Sequence, residues 1–449
     1  MTAAEAPAGP VHGTGQKRRV AVGSAVGTTI ENYDFTAFGT AAAIYFGPAF
    51  FPGSDPVAAT LLSFATLGVG FAVRPLGGLI GGHLGDRIGR RPVLLGALVL
   101  MGLATFGIGL LPTYAQVGVL APVLLTVMRI LQGLAFGAEW GGAIMLTYEH
   151  APWRRRATYC ALPQAGIPLG LLLANIVFFG VAGWDSDWAW RIPFLASAVL
   201  VVAGLVIRLT VDESPDFERI RDEGSIDRAP LVTVVREQWR EIVRIIGMRV
   251  SQAGGFYIVV SYFTSYLASA DLATRTTSLG AIVVAAALGV GATLLYGRLA
   301  DAVGRRPLYL AGTGATVVLA FPMFWLLNSG AAFAVVAAYV LGLTLCHDLQ
   351  SAPQGAWFSE LFRTGTRTSG ASIGYQFSAA LAGFVPFFAT AAAAGFGWPG
   401  VAGLYVLIAL GGLVAAAATR ETWGPAERAS VDAVLARSTD DREGGRTRA

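Results

Sequence analysis

The sequence predicts an all-α membrane protein with twelve transmembrane helices in two pseudo-symmetric six-helix bundles. Three observations carry that prediction. The chain has 449 residues, is 54% hydrophobic and only 13% charged, far more apolar than a soluble chain of that length. Its 32 basic and 28 acidic residues are crowded, with nearly half of them in residues 1–19, 212–242 and 421–449. Between those segments, apolar stretches of about 20 residues or more recur, each long enough to cross a hydrocarbon core of about 30 Å.

In chain order the predicted spans are 20–46, 57–82, 92–112, 119–148, 157–182, 190–211, 245–268, 276–297, 307–328, 332–357, 370–394 and 398–419. The first follows a basic start at Gln16, Lys17, Arg18 and Arg19. Its length, and Glu31 and Asp34 within it, distinguish it from a cleaved signal. Glycine and alanine fill the spans, as close helix packing in lipid requires. An even number of spans leaves both ends on one side. Basic residues cluster in the tails and around 87–91, 154–156, 208–244, 298–306 and 363–367, whereas the opposite loops hold only Arg191 and Arg275. By the positive-inside rule both termini are cytoplasmic, in a multi-pass protein of the cell membrane. The expected division is a tail at 1–19, a bundle at 20–211, a cytoplasmic linker at 212–244, a second bundle at 245–420 and a tail at 421–449. That last tail is short and polar and is expected to be disordered.

Composition also excludes activities. Cys160 and Cys346 both sit in apolar runs and form no disulfide framework. Lys17 is the only lysine, so the membrane body holds no G-x-x-x-x-G-K-[ST] phosphate loop and the chain is no ATPase. No H-E-x-x-H motif occurs; no metal, cofactor or enzyme activity is expected. The net charge of +4 reflects topology, and no nucleic-acid partner is implied.

The two halves echo each other. His83-Leu84-Gly85-Asp86-Arg87-Ile88-Gly89-Arg90-Arg91-Pro92 returns 215 positions later as Arg298-Leu299-Ala300-Asp301-Ala302-Val303-Gly304-Arg305-Arg306-Pro307. Glu149 and Arg156 pair in the same way with Glu360 and Arg367, 211 positions on. Two copies of a six-helix unit suggest bundles that enclose a cavity and rock about it.

With these motifs on the page, the sequence resembles the major facilitator superfamily and, within it, the metabolite:proton symporter family. Gly82 through Arg91 matches the superfamily signature between the second and third helices; the copy from Gly297 is weaker and lacks the arginine after Asp301. Closer marks are Gly27-Thr28-Thr29-Ile30-Glu31-Asn32-Tyr33-Asp34-Phe35, Arg74-Pro75-Leu76-Gly77-Gly78, Arg129-Ile130-Leu131-Gln132-Gly133 and Gly137-Ala138-Glu139-Trp140-Gly141-Gly142. The stretch from Pro353 and Gln354 through Glu360, Arg367, Tyr375 and Gln376 also looks familial. Asn32 stands where an aromatic is expected. The resemblance implies uptake of a small organic acid or zwitterion such as shikimate, 2-oxoglutarate, citrate, proline or betaine, driven by a proton gradient, by a monomer in the lipid bilayer.

An ionisable group inside a span costs roughly 3 kcal/mol on insertion scales, so each is a functional candidate. Glu31 and Asp34, three residues apart, share a face of the first span about 16–20 Å above its cytoplasmic end. Two such carboxylates resist double ionisation, so one can load a proton in one orientation and release it in the other. Asp34 is the first choice of carrier and Glu31 its alternative or partner; permanent pairing with arginines is the competing reading. Arg129, Gln132, Phe136 and Glu139 fall within an arc of about 80° on the fourth span, so they can line one wall. Arg129 and Glu139 are about 15 Å apart along the axis, so Arg129 needs another anion. A helix carboxylate in the empty carrier and the substrate carboxylate in the loaded one would serve, and a fixed bridge is the alternative. Arg74, about 12 Å from the helix end, can snorkel, and Arg249 likewise. His347, Gln350 and Gln354 share a face of the tenth span with Asp348 turned about 100° away; His347 can relay protons or simply be packed. Gln164, Tyr257, Gln350, Gln354 and Tyr375 complete the expected substrate contacts with Arg74, Arg129 and Gln132. Proton coupling is assigned to Asp34, Glu31, Glu139 and His347.

The two repeated loops suggest a charge latch between helices. Gly82, Asp86, Arg87, Gly89, Arg90, Asp301 and Arg305 form the expected gate; for Arg90, Arg91, Arg305 and Arg306, topological anchoring is the competing reading. A drug exporter or a non-transporting sensor is the alternative function. Charged side chains favour a polar substrate over a drug.

Overall fold

The computed structural model describes residues 14–88, 90–186, 188–209, 230–363 and 366–430. Helix dominates and no strand occurs among them. Among the described residues six long helices form the first half: α1 (Thr14–Ile44), α2 (Pro56–Ala72 continuing as Arg74–Ile88), α3 (Arg90–Leu110), α4 (Leu120–His150), α5 (Arg156–Val181) and α6 (Trp188–Leu209). Asp55 caps α2 by accepting from the Val57 amide at 3.0 Å, with Pro56 at the first helical position. The break at Val73 follows from Pro75, which has no N–H to give the preceding turn.

The second half repeats the plan. It comprises α7 (Trp239–Tyr257, a π-helical turn Ile258–Tyr262, then Phe263–Ser269), α8 (Arg275–Val303), α9 (Arg305–Asn328) and α10 (Ala332–Val340, a π-helical stretch Leu341–Asp348, then Leu349–Glu360). Arg367–Ala382 opens α11, and Val385–Ala417 carries the rest of α11 and all of α12, divided where Gly397 turns left-handed at φ 65°. Within α11 and α12 lie the two spans expected at 370–394 and 398–419. A short helix, Pro230–Glu237, leads into α7 and buries Val234 against Ile245, Trp357 and Phe362.

Backbones touch where glycine lines a helix. A Cβ at Gly133 would lie 2.1 Å from the Gly70 carbonyl oxygen, and one at Gly137 would lie 2.0 Å from that of Arg74. Thus α2 and α4 pack main chain to main chain. The two π-helical segments also meet, since a Cβ at Gly342 would stand 2.7 Å from Val259. Such widened turns shift which face a later residue presents.

The polar tail departs from expectation. Residues 421–430 are ordered, and Trp423 is buried. Glu421 accepts from the amides of Arg305 (3.2 Å) and Arg306 (2.9 Å), capping α9. A carboxylate at a helix N-terminus meets two of the orphan N–H groups and the positive dipole end, which anchors a segment that composition alone reads as disordered.

Candidate functional site

In the first half, two arginines are buried among aromatic rings. Arg129 is wholly buried, with its Cζ 4.4 Å from the Phe35 centroid and 4.3 Å from that of Phe38. Arg74 places its Cζ 3.5 Å from the Phe136 centroid. Rings offer a guanidinium their negative faces without removing its hydrogen-bonding capacity. Arg129 Nε and Nη2 and Arg74 Nη2 have no hydrogen-bond partner among the described residues. Asp34 lies in electrostatic range of Arg129, and Glu31 of Arg74. The two carboxylates, expected to face the same neighbours, are thus shared out between two arginines. Arg74 does not snorkel: it turns inward because Gln376 on α11 accepts from its Nε at 3.0 Å.

Gln132 is a correction. It was expected on the cavity wall, yet its Nε2 donates to Thr105 Oγ1 on α3 at 2.7 Å, while its Oε1 accepts from Arg129 Nη1 at 3.1 Å. Burial of an amide requires partners, and α3 supplies the second one inside the bundle.

In the second half, a polar chain crosses from α7 to α10. Arg249, also buried rather than snorkelling, donates through Nη1 to Gln252 Oε1 and sets its Cζ 3.7 Å over the Tyr375 ring. Gln252 Nε2 meets His347 Nε2. His347 Nδ1 and Asp348 Oδ1 are 2.8 Å apart. Asp348 faces Gly289 of α8 and Pro168 of α5 while His347 faces Gln252 of α7, yet the adjacent side chains bend together across the turn. Gln350 is a correction: it is not at the cavity but donates to Thr316 Oγ1 on α9 at 3.2 Å and to the Cys346 carbonyl at 2.6 Å, the partners its burial requires.

Between the halves lies a cavity of about 20 Å³, room for about one water. Gln164, Gln354, Ser359, Ser372 and Tyr375 line it, with Met145. Gln164 crosses the boundary, donating to the Ser351 carbonyl at 2.8 Å. Both amide atoms of Gln354 lack a hydrogen-bond partner among the described residues. Tyr257 bridges the halves, its ring 5.2 Å from that of Phe71. Contacts close the cavity on the side away from the basic loops. There Gln376 Nε2 reaches the Gly137 carbonyl at 3.4 Å, and beyond it a Cβ at Gly68 would come within 2.4 Å of Phe384.

Comparison with known proteins follows the same lines. The family described as Major Facilitator Superfamily matches residues 25–385. The chain belongs to the major facilitator superfamily. The inner membrane metabolite transport protein YhjE of Escherichia coli K12 is 39% identical over 421 residues, 90% of this chain and 94% of that protein. The shikimate transporter of the same strain is 37% identical over 382 residues, 83% of this chain and 87% of that one. The partially occluded, inward-open xylose transporter XylE of E. coli superposes with a TM-score of 0.71 at 18% identity, covering 92% of this chain and 99% of that one. That likeness establishes the twelve-helix fold.

In this major facilitator the second repeated loop bridges the two halves. Asp301 accepts from the amides of Ala157 (3.1 Å) and Thr158 (2.8 Å) and from Thr158 Oγ1 (2.7 Å), capping α5 from the opposite bundle. Arg305, wholly buried, ties Asp301 at 3.1 Å to Glu360 at 3.3 Å. Its burial is incompatible with a surface anchor for topology; Arg306 instead is outward, donating to the Ala417 carbonyl at 2.6 Å. Gly304, at φ 113°, makes the turn that lets Asp301 and Arg305 converge. Gly89, the surroundings of Gly82 and the side chains of Asp86, Arg87, Arg90 and Glu139 lie outside the described residues. Sequence reasoning missed Gln252, Asp348 and Glu421. Gln252 carried a signal, since it stands three residues after Arg249 on one helical face.

Proposed function

We propose that this membrane transporter is a proton-coupled symporter that imports a small carboxylate-bearing or zwitterionic metabolite. The halves α1–α6 and α7–α12 rock about the cavity, so that a monomer exposes it alternately to the two faces of the cell membrane. The basic loops and both termini face the cytoplasm. One observation carries the reading: three buried arginines, Arg74, Arg129 and Arg249, flank the boundary between the halves, and Arg74 and Arg129 keep N–H donors without an acceptor. A guanidinium that retains donors in an apolar surround is built to grip an anion arriving from outside. A drug exporter would want a broader apolar pocket.

Asp34 carries the proton and Glu31 assists. With the carboxylate ionised, its charge balances the arginine across the helix pair; protonation removes that charge and leaves the arginine to the substrate carboxylate, which couples the two binding events. Gln164, Gln354, Tyr257 and Tyr375 orient the substrate. His347 serves the second half, and the Asp301 latch holds the cytoplasmic end shut. The shikimate transporter and the proline/betaine transporter of E. coli, 31% identical over 387 residues, point to the class of cargo.

The test is uptake of labelled shikimate, 2-oxoglutarate, citrate, proline and betaine into proteoliposomes with and without an inward-directed proton gradient. We expect the gradient to stimulate one of them, and Asp34→Asn and Arg129→Gln each to abolish the stimulation. Gradient-independent flux with both variants active discards the reading.

A further inference from the structure

The dyad on α10 has features that packing alone does not require. Asp348 is 1% exposed, and its Oδ2 has no hydrogen-bond partner among the described residues. Around it stand Pro168 and Leu171 of α5, Phe256 of α7, Ala285 and Ala286 of α8, and Leu343. A bare carboxylate oxygen in such a sleeve is costly to keep charged.

Hydrogen-bond logic fixes which atom can take a proton. Arg249 has only donors, so the Gln252 atom facing it is the carbonyl oxygen, as placed. The Gln252 amide N–H groups therefore face His347, whose Nε2 must accept. Neutral His347 then carries its proton on Nδ1 and donates it to Asp348 Oδ1. With the histidine occupied at both nitrogens, the remaining open position is Oδ2. The other titratable groups facing the dyad are Arg249 from α7, at one remove through Gln252, and the Tyr296 phenol from α8, within electrostatic range of Asp348. The neighbours from α5 are apolar, and the α9 hydroxyl of Thr316 is engaged by Gln350.

Oδ2 also sits at a moving boundary. A Cβ at Gly289 of α8 would lie 2.6 Å from Oδ2 and 3.2 Å from Pro168 Cβ of α5. Only glycine leaves the oxygen room at the seam where the first half meets the second.

We propose that Asp348 Oδ2 is a second proton-exchange site, oriented by His347 and opened to water when α5 parts from α8. On the open side a hydronium ion of the entering water gives its proton to Oδ2: one of its O–H bonds breaks, the Asp348 O–H bond forms, a neutral water is left and the charge of the dyad goes from −1 to zero. On the other side the Asp348 O–H bond breaks and the proton passes to water, which leaves as hydronium. Gln252 and Arg249 connect this event to Tyr375 at the cavity, so an anion drawn to Arg249 disturbs the chain that fixes the His347 tautomer. The proposal rests on the symport reading for its role in transport, but the proton site itself is measurable without any substrate.

The experiment is pH-difference infrared spectroscopy of the purified full-length protein in lipid. A carboxylic C=O band that titrates in the wild type should vanish in Asp348→Asn and move its midpoint in His347→Leu. Should Asp348→Asn fail to insert, the His347→Leu shift reads the same site. Wild-type, Asp348→Asn and His347→Leu spectra that titrate identically overturn the proposal, and so does an unmoved His347→Leu band when Asp348→Asn yields no protein. Uptake of the same labelled panel separates the two readings. A titrating Asp348 band in a protein whose uptake ignores the gradient supports the site and sinks the symport reading; gradient-driven uptake with no Asp348 band sinks the site alone.

Discussion

Two arginines open the same local phrase, Arg-x-x-Gln, at Arg129–Gln132 on α4 and at Arg249–Gln252 on α7. In each the arginine Nη1 donates to the glutamine Oε1 one turn on. Beyond that point they diverge. Gln132 ends on the neutral hydroxyl of Thr105, and the arginine finds its counter-charge in Asp34 on another helix. Gln252 ends on His347 and, through it, on Asp348. A hydroxyl cannot change charge in the accessible pH range, whereas an imidazole and a carboxylate can. The same spacing therefore ends its glutamine on a fixed hydroxyl in one half and on a titratable pair in the other, and the difference lies wholly in what the neighbouring helix presents.

The largest effect should come from breaking the first of these. Arg129→Gln leaves Asp34 without its arginine, and removing one partner of a buried pair costs about 3 kcal/mol; uptake should fall on the order of 100-fold. The double variant Asp34→Asn with Arg129→Gln should recover thermal stability without recovering uptake. Equal melting temperatures for the single and double variants would show that the two groups are not paired.

Next comes the direct contrast between the glutamines. Gln252→Leu should lower gradient-driven uptake about tenfold and alter its pH profile, because it cuts Arg249 from the dyad. Gln132→Leu should cost about 1 kcal/mol of stability through the lost Thr105 bond and leave the pH profile in place. Identical pH profiles in the two variants would erase the distinction between the halves.

A third comparison sets the repeated loops against each other. Asp301→Asn weakens two backbone caps on α5 and an ion pair with Arg305, and should slow transport roughly fivefold with insertion intact. Asp86→Asn tests whether the first loop latches as the second does; transport at the wild-type rate would confine the latch to the second half. The smallest effect belongs to the tail. Glu421→Ala removes the cap on α9, worth about 1 kcal/mol, and should make residues beyond 420 more sensitive to limited proteolysis at little loss of uptake.

Much of this molecule was legible along the chain. Span length, the basic loops and the echo of Asp86 in Asp301 are written in composition and spacing, because a helix in lipid must satisfy its own backbone and bury apolar faces whatever surrounds it. The arginines and carboxylates of α1, α2 and α4 were legible for the same reason: a charge inside a span is costly, so its presence is a signal. Helical rotation was the weak point. Nothing in composition says that the adjacent side chains of His347 and Asp348 bend together or that Gln350 finds its partner on α9. The ordered tail was hidden likewise, since a polar segment folds only if a helix terminus stands where its carboxylate can cap it. The sequence alone determined which groups are expensive to bury. Tertiary structure decided which of them meet, because partnership depends on angles and offsets between helices that no single helix encodes.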